Sequence, residues 1–146
     1  MQTSETEKMA ELWNERLRYE LAHPPFHAVF KPEAVGVDPS SGAIRIRVPY
    51  QEHFSASGEK PFVHGGVVAT LIDISAHAAV AVQTGRTSPT IDLRIDFLRP
   101  VPAADIYATA RPLKIGRTVA RVDVEITNAE GTVFAAGRGT FSTSAN

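Results

Sequence analysis

The sequence contains no cysteine, which removes disulfides, thiolate nucleophiles, dithiol redox pairs and every cysteine-based zinc site together. A reducing compartment suits such a chain, and a cytoplasmic location is expected. It also lacks an excess of either charge: Lys and Arg number 15 and Asp and Glu 16, for a net charge of −1. With no cationic surplus there is little counterion release to gain on a phosphate backbone, so nucleic acid is not an expected partner. The most apolar stretch, Gly65 to Val82, carries Asp73 near its middle, where a bilayer would penalise it, and no membrane span is expected. Nor does the start, MQTSETEKMAEL, offer the apolar core of a signal peptide.

What is present suffices for one domain. A chain of 146 residues with 43% hydrophobic content should bury roughly two-thirds of its unfolded surface and fold without staples. Between Glu5 and Leu21, residues Met9, Leu12, Trp13, Leu17 and Leu21 recur at spacings near three and four, which predicts an amphipathic helix. His23-Pro24-Pro25 ends it, because proline has no amide proton and turns its predecessor out of the helical region. Residues 1–25 are therefore read as an N-terminal helix and 26–146 as the main domain.

Within that domain Phe26 to Val37 is read as a strand, joined through Asp38-Pro39-Ser40-Ser41-Gly42 to a second at Ala43 to Val48. The second alternates Ile44, Ile46 and Val48 with Arg45 and Arg47. Gly65 to Gln83 is long and rich in alanine, and its apolar residues point to all sides, so a helix buried by other elements is expected there. After Gly85 the period changes to two: Ile91, Leu93, Ile95 and Phe97 alternate with Asp92, Arg94 and Asp96, and Thr118 to Ile126 follows the same rule. Further strands are expected near Asp105 to Leu113 and Thr132 to Ser142, with hairpin turns at Ile115-Gly116-Arg117 and Asn128 to Gly131. The class is α+β, an antiparallel sheet curled around one central apolar helix with an extra helix at the N-terminus.

Two features of the central helix invite chemistry. Gly65-Gly66 at its start either makes a sharp turn or leaves the first-turn amides and the positive end of the helix dipole open to an oxyanion. Asp73 is the only formal charge between Lys60 and Arg86. It is either a catalytic carboxylate, its pKa raised by desolvation, or half of an ion pair with His77 on the same helical face. Seven residues separate Gly66 from Asp73, about 10 Å along the axis, too far for one acyl carbon to meet both in one chain. A two-fold dimer would set the Asp73 of one subunit against the helix start of the other.

At these residues the sequence resembles a known family. His64-Gly65-Gly66, then Leu71-Ile72-Asp73, then the strand Thr90 to Pro100 ending in Phe-Leu-Arg-Pro, then Gly116-Arg117, are similar to a hotdog-fold acyl-CoA thioesterase of the PaaI-like group, over about Phe26 to Phe141. The resemblance implies a hotdog sheet, dimers in which two sheets join and which often pair into tetramers, and hydrolysis of an acyl-coenzyme A with no metal or redox cofactor. By position, Gly66 would supply the amide that polarises the thioester carbonyl, and Asp73 of the facing subunit would be base or nucleophile. Gly65 and His64 would shape the same mouth, His64 otherwise being a helix-entry histidine bonded to backbone. Thr90 would position water, unless strand parity turns it out with Asp92 and Arg94.

Two departures stand out. Gly58 occupies a place where relatives carry Asn or Gln, leaving Gln51, Ser55 or Ser57 as substitutes, and His77 stands where small residues are usual, either tuning Asp73 or lining the acyl pocket. From Arg86 onward eight basic residues face six acidic ones. Arg111, Lys114, Arg117 and Arg121 are either a solvated strand face or the contact for the phosphates of coenzyme A. Two other functions are weighed: a non-catalytic acyl-CoA-binding hotdog, and a hotdog dehydratase or hydratase, whose Asp-x-Asn-Pro-x-His and His-Phe-Pro runs the sequence does not contain.

Overall fold

The computed structural model describes residues 3–144; residues 1–2 of the opening stretch and 145–146 lie outside the described part. In chain order the elements are α1 (Glu5–Ala22), α2 (His27–Phe30), β1 (Glu33–Val37), β2 (Ile44–Val48), a 3-10 turn at Glu52–Phe54, α3 (Gly65–Thr84), β3 (Thr90–Phe97), β4 (Ile106–Ile115), β5 (Val119–Thr127) and β6 (Val133–Ser142). The six strands form one antiparallel sheet in the order β1-β2-β4-β5-β6-β3. α3 packs against β2, β3, β4, β5 and β6, so the sheet curls around it in the hotdog arrangement.

Local chemistry sets the ends of the helices. Ser4 and Glu7 form a reciprocal capping box at the start of α1, satisfying two orphan amides. At the far end of α3 the Arg16 guanidinium donates to Val82 O at 2.9 Å, where the dipole favours a cation. Gly85 closes that end with φ 72°, in the left-handed region where glycine carries no Cβ penalty. The close approach of sheet to helix has its own requirement: a Cβ on Gly137 of β6 would lie 2.8 Å from Ile72 Cγ2.

Several expectations change. The strand expected over Phe26 to Val37 begins only at Glu33, because His27–Phe30 turns once as α2 and Lys31 takes φ 57°. Of the α1 stripe, Leu17 and Leu21 are buried and Trp13 packs on the core, whereas Met9 and Leu12 stay exposed. β3 is an edge strand, so Ile91 and Phe97 remain exposed while Leu93 and Ile95 pack on the core. α3 is long and apolar enough to cross a bilayer, yet most of it is enclosed by the sheet and α1.

Candidate active site

α3 places Asp73 on the side of the helix that the sheet does not close, where the carboxylate is half-buried and lines a cleft of about 590 Å³ with Thr70, His77 and Thr90. The complete enclosure expected of a carboxylate on an all-round apolar helix is not observed. Thr90 Oγ1 donates to Asp73 Oδ1 at 2.9 Å. β3 brings it there through a slip in its ladder with β6: Thr90 opposes Phe141 and Asp92 opposes Thr140. One extra residue lies on β3 between them, a bulge that reverses side-chain parity. Thr90 therefore does not follow Asp92 and Arg94.

The i, i+4 ion pair between Asp73 and His77 does not form. His77 Nδ1 lies 3.1 Å from Glu20 Oε1 on α1, and its Nε2 accepts the Ser88 amide at 3.1 Å. One helical turn thus ties α3 twice to the segment leading into β3, through Ser88 at His77 and through Thr90 at Asp73. Glu20 is a site residue that the sequence alone does not single out. The signal for it was an acid three residues after Leu17 and seven after Trp13, within the packed stripe of α1.

At the start of α3, His64 is the N-cap, and its Nδ1 accepts the Gly66 amide at 2.8 Å. The donor expected to meet a carbonyl is therefore held by the imidazole two residues earlier. Val67 N bonds His64 O at 2.9 Å, whereas the Gly65 amide has no acceptor among the described residues. His64, Gly65 and Gly66 are all exposed. A Cβ on Gly65 would lie 3.4 Å from the Phe97 ring, so glycine there lets the end of β3 rest against the helix start.

Gly58 stands in open surroundings, and the candidates to replace a side-chain amide there are engaged locally. Gln51 Nε2 donates to Val29 O at 3.1 Å, Ser55 Oγ to Ser57 O at 2.7 Å, and Ser57 Oγ accepts the Glu59 amide. Arg111, Lys114, Arg117 and Arg121 are exposed around the β4–β5 hairpin, and none of them lines the Asp73 cleft. Pairing with β5 supplies the acids that the linear run lacks: Arg111 reaches Glu125 at 3.8 Å. Lys114 instead faces Arg121 directly across the ladder, an opposition of like charge that an anion would relieve.

A family model described as Thioesterase superfamily matches residues 60–135. A protein of Halobacterium salinarum that carries a provisional esterase name is 35% identical over 115 residues, covering 71% of this chain and 76% of that one. Human acyl-coenzyme A thioesterase 13 is 39% identical over 93 residues, 62% of this chain and 64% of its own length. The structure of zebrafish thioesterase superfamily member 2 superposes with a TM-score of 0.76 at 28% identity, covering 92% of this chain and 97% of that one. The Escherichia coli PaaI protein from the phenylacetic acid degradation operon gives 0.80 at 21% identity, with 92% and 94% covered; this likeness bears on the fold alone.

Proposed function

Because the chain belongs to the thioesterase superfamily, we propose that it hydrolyses an acyl-coenzyme A thioester to the free acid and coenzyme A, with Asp73 as general base. The observation that carries this reading is the Thr90–Asp73 hydrogen bond at the cleft wall. It fixes one carboxylate oxygen and leaves the other to draw a proton from water as the water oxygen bonds to the acyl carbon. The carbonyl electrons move onto oxygen, the C–S bond then breaks, and the thiolate takes up the proton. General-base help is worth about 10²- to 10⁴-fold and a preorganised amide donor about 10²- to 10³-fold, which together suit an activated ester. No metal or redox group enters this chemistry.

The amide donor in this reading is the start of α3. Gly65 N–H is ready to donate, and Gly66 N–H joins it when the carbonyl oxygen replaces His64 Nδ1. Since about 10 Å of helix separates Gly66 from Asp73, the productive site pairs the α3 start of one subunit with the Asp73 of another. The exposed edge of β3, with Ile91 and Phe97 each 59% exposed, suits joining to a second copy. Lys114, Arg121, Arg117 and Arg111 are assigned to the phosphates of coenzyme A, on the strength of the unrelieved Lys114–Arg121 opposition.

One observation favours a second reading, binding without hydrolysis: the Gly66 amide is already engaged by His64. A panel of aromatic, short and medium-chain acyl-coenzyme A thioesters, assayed by colorimetric release of thiol, separates the two. Thiol release that Asp73→Ala abolishes supports hydrolysis; a folded protein that binds members of the panel and releases no thiol overturns it.

A further inference from the structure

We propose that the Asp73 cleft selects short acyl groups whose far end bears a hydroxyl and rejects those ending in a carboxylate, with Glu20 as the group that reads the end and His77 as the residue that positions it. The inference rests on the thioesterase reading for which end of the acyl group meets Asp73.

The cleft has apolar walls at Phe26, Ile74 and Pro89, and a polar end where Glu20, His77 and Ser88 meet. Asp73 and His77 stand one turn apart on the same face of α3, with roughly 5–6 Å between their Cβ atoms. Glu20 Oε1 lies 3.1 Å from His77 Nδ1, in the lining of the same cleft. An acyl carbon held at Asp73 thus has its short chain running past Ile74 toward the Glu20 carboxylate.

The protonation pattern at that end follows from the hydrogen bonds. His77 Nε2 accepts the Ser88 amide, so it carries no proton, and the ring hydrogen sits on Nδ1, 3.1 Å from Glu20 Oε1. An imidazole in this tautomer stands beside the carboxylate without cancelling its charge. Glu20 Oε2 has no hydrogen-bond partner among the described residues, and no Lys or Arg lines the cleft. The Ser88 hydroxyl, buried in the same wall, also lacks a partner among the described residues. A carboxylate can only accept hydrogen bonds, so its fitting ligand is a donor, and a charge-assisted bond to a hydroxyl is about twice as strong as a neutral one. An acyl group ending in a carboxylate would bring a third negative charge beside Asp73 and Glu20 with no Lys or Arg to meet it. One ending in a methyl group would cover the Glu20 oxygen and leave it unpaired.

The test compares three acyl-coenzyme A thioesters of equal length, ending in hydroxyl, methyl or carboxylate, by their kcat/KM ratios. It repeats the comparison with non-hydrolysable thioether analogues by calorimetry. For the unaltered protein the hydroxyl end should be preferred about 10-fold over methyl and at least about 10²-fold over carboxylate. Glu20→Gln keeps a hydrogen-bond acceptor and loses the charge, so it should retain most of the hydroxyl preference and relax the rejection of carboxylate about 10-fold or more. Glu20→Leu should invert the hydroxyl-to-methyl ratio. His77→Leu leaves the charge but unmoors it, and should weaken the hydroxyl preference while carboxylate is still rejected. Ratios between substrates on one protein sample are insensitive to a general loss of folded material. Equal kcat/KM and equal affinity across the three ends, or ratios unmoved by Glu20→Leu, overturn the proposal. Graded affinities for the analogues with no thioester cleaved would sustain it and overturn the hydrolase reading instead.

Discussion

Thr90 Oγ1 donates to Asp73 Oδ1 at 2.9 Å because β3 carries one extra residue between Thr90 and Asp92 against β6. The bulge turns a hydroxyl at the beginning of an edge strand inward onto a carboxylate in the middle of the core helix. Their pairing engages Oδ1 and leaves Oδ2 as the oxygen that would meet water in the proposed general-base role.

Asp73→Asn should lower kcat on the best thioester by at least about 10²-fold with a smaller change in KM, as expected for loss of a group that acts in the transition state. Thr90→Val removes only the donor that holds the carboxylate and should cost about 10-fold in kcat, with Thr90→Ser restoring most of it. Steady-state kinetics on proteins with matched unfolding curves make the comparison. A single turnover in ¹⁸O-labelled water then distinguishes base from nucleophile: general-base attack puts the label in the acid at the first turnover. Attack by Asp73 itself would displace the thiolate to form an anhydride, and opening of that anhydride by water at the Asp73 carbonyl would leave the acid unlabelled and put the label on Asp73.

Acid stability should depend on Asp105. The backbone amide of Tyr50 and, next, the Arg47 guanidinium hold its carboxyl below the ordinary aspartate value of 3.8. A group whose pKa is depressed by folding contributes stability that is complete above the unfolded value and is lost as pH falls through the folded one. Melting temperatures of the unaltered protein should therefore fall as the pH is taken below 3.8. Asp105→Asn should melt lower at neutral pH and show a shallower acid decline. Parallel curves for the two proteins would remove Asp105 from the acid transition.

Lys114→Ala should have effects of opposite sign on stability and on substrate binding. Relieving its opposition to Arg121 should stabilise the fold by about 0.2–1 kcal/mol. Losing a phosphate contact should raise KM for coenzyme A thioesters several-fold, and further with Arg117→Ala, while flattening the dependence of KM on salt. Thermal unfolding and kinetics at two ionic strengths check both. A KM that stays constant in the double variant would return these cations to the role of a solvated strand face.

The repeating elements were legible because their signals are local. The alternation of Ile44, Ile46 and Val48 with two arginines, and the alanine-rich run through Asp73, each fix one element by its period. What escaped depends on partners distant in sequence. The parity of Thr90 is set by its register with β6, and the orientation of His77 by Glu20, 57 residues earlier. Periodicity could not separate Met9 and Leu12, which stay exposed, from Leu17 and Leu21, because only contact with α3 and β1 decides which part of the α1 stripe is covered. HAVF reads equally as strand or turn, and the left-handed Lys31 that settles it has no signature of its own.

Where the site is assembled can be tested by mixing chains, since the proposal rests on the roughly 10 Å of helix between Gly66 and Asp73. Take an Asp73→Ala chain and a Gly66→Pro chain. Proline in the first turn of a helix is tolerated, yet here it removes both the amide and the bond it makes with His64 Nδ1. Each homodimer lacks one essential group at both sites and should be inactive. In the heterodimer one composite site joins the intact Asp73 of the proline chain to the intact Gly66 of the other, while the second site lacks both. Random exchange of equal amounts makes about half of the dimers mixed, so about one quarter of the original sites should work. Subunit exchange is verified by native mass measurement on differently tagged chains, and folding of the proline chain by its unfolding curve. Activity that rises toward one quarter in proportion to the mixed dimer establishes a site shared between subunits. If the mixed dimer forms and no thiol is released, Gly66 and Asp73 do not meet across the interface, and the proposal of a site shared between subunits is wrong.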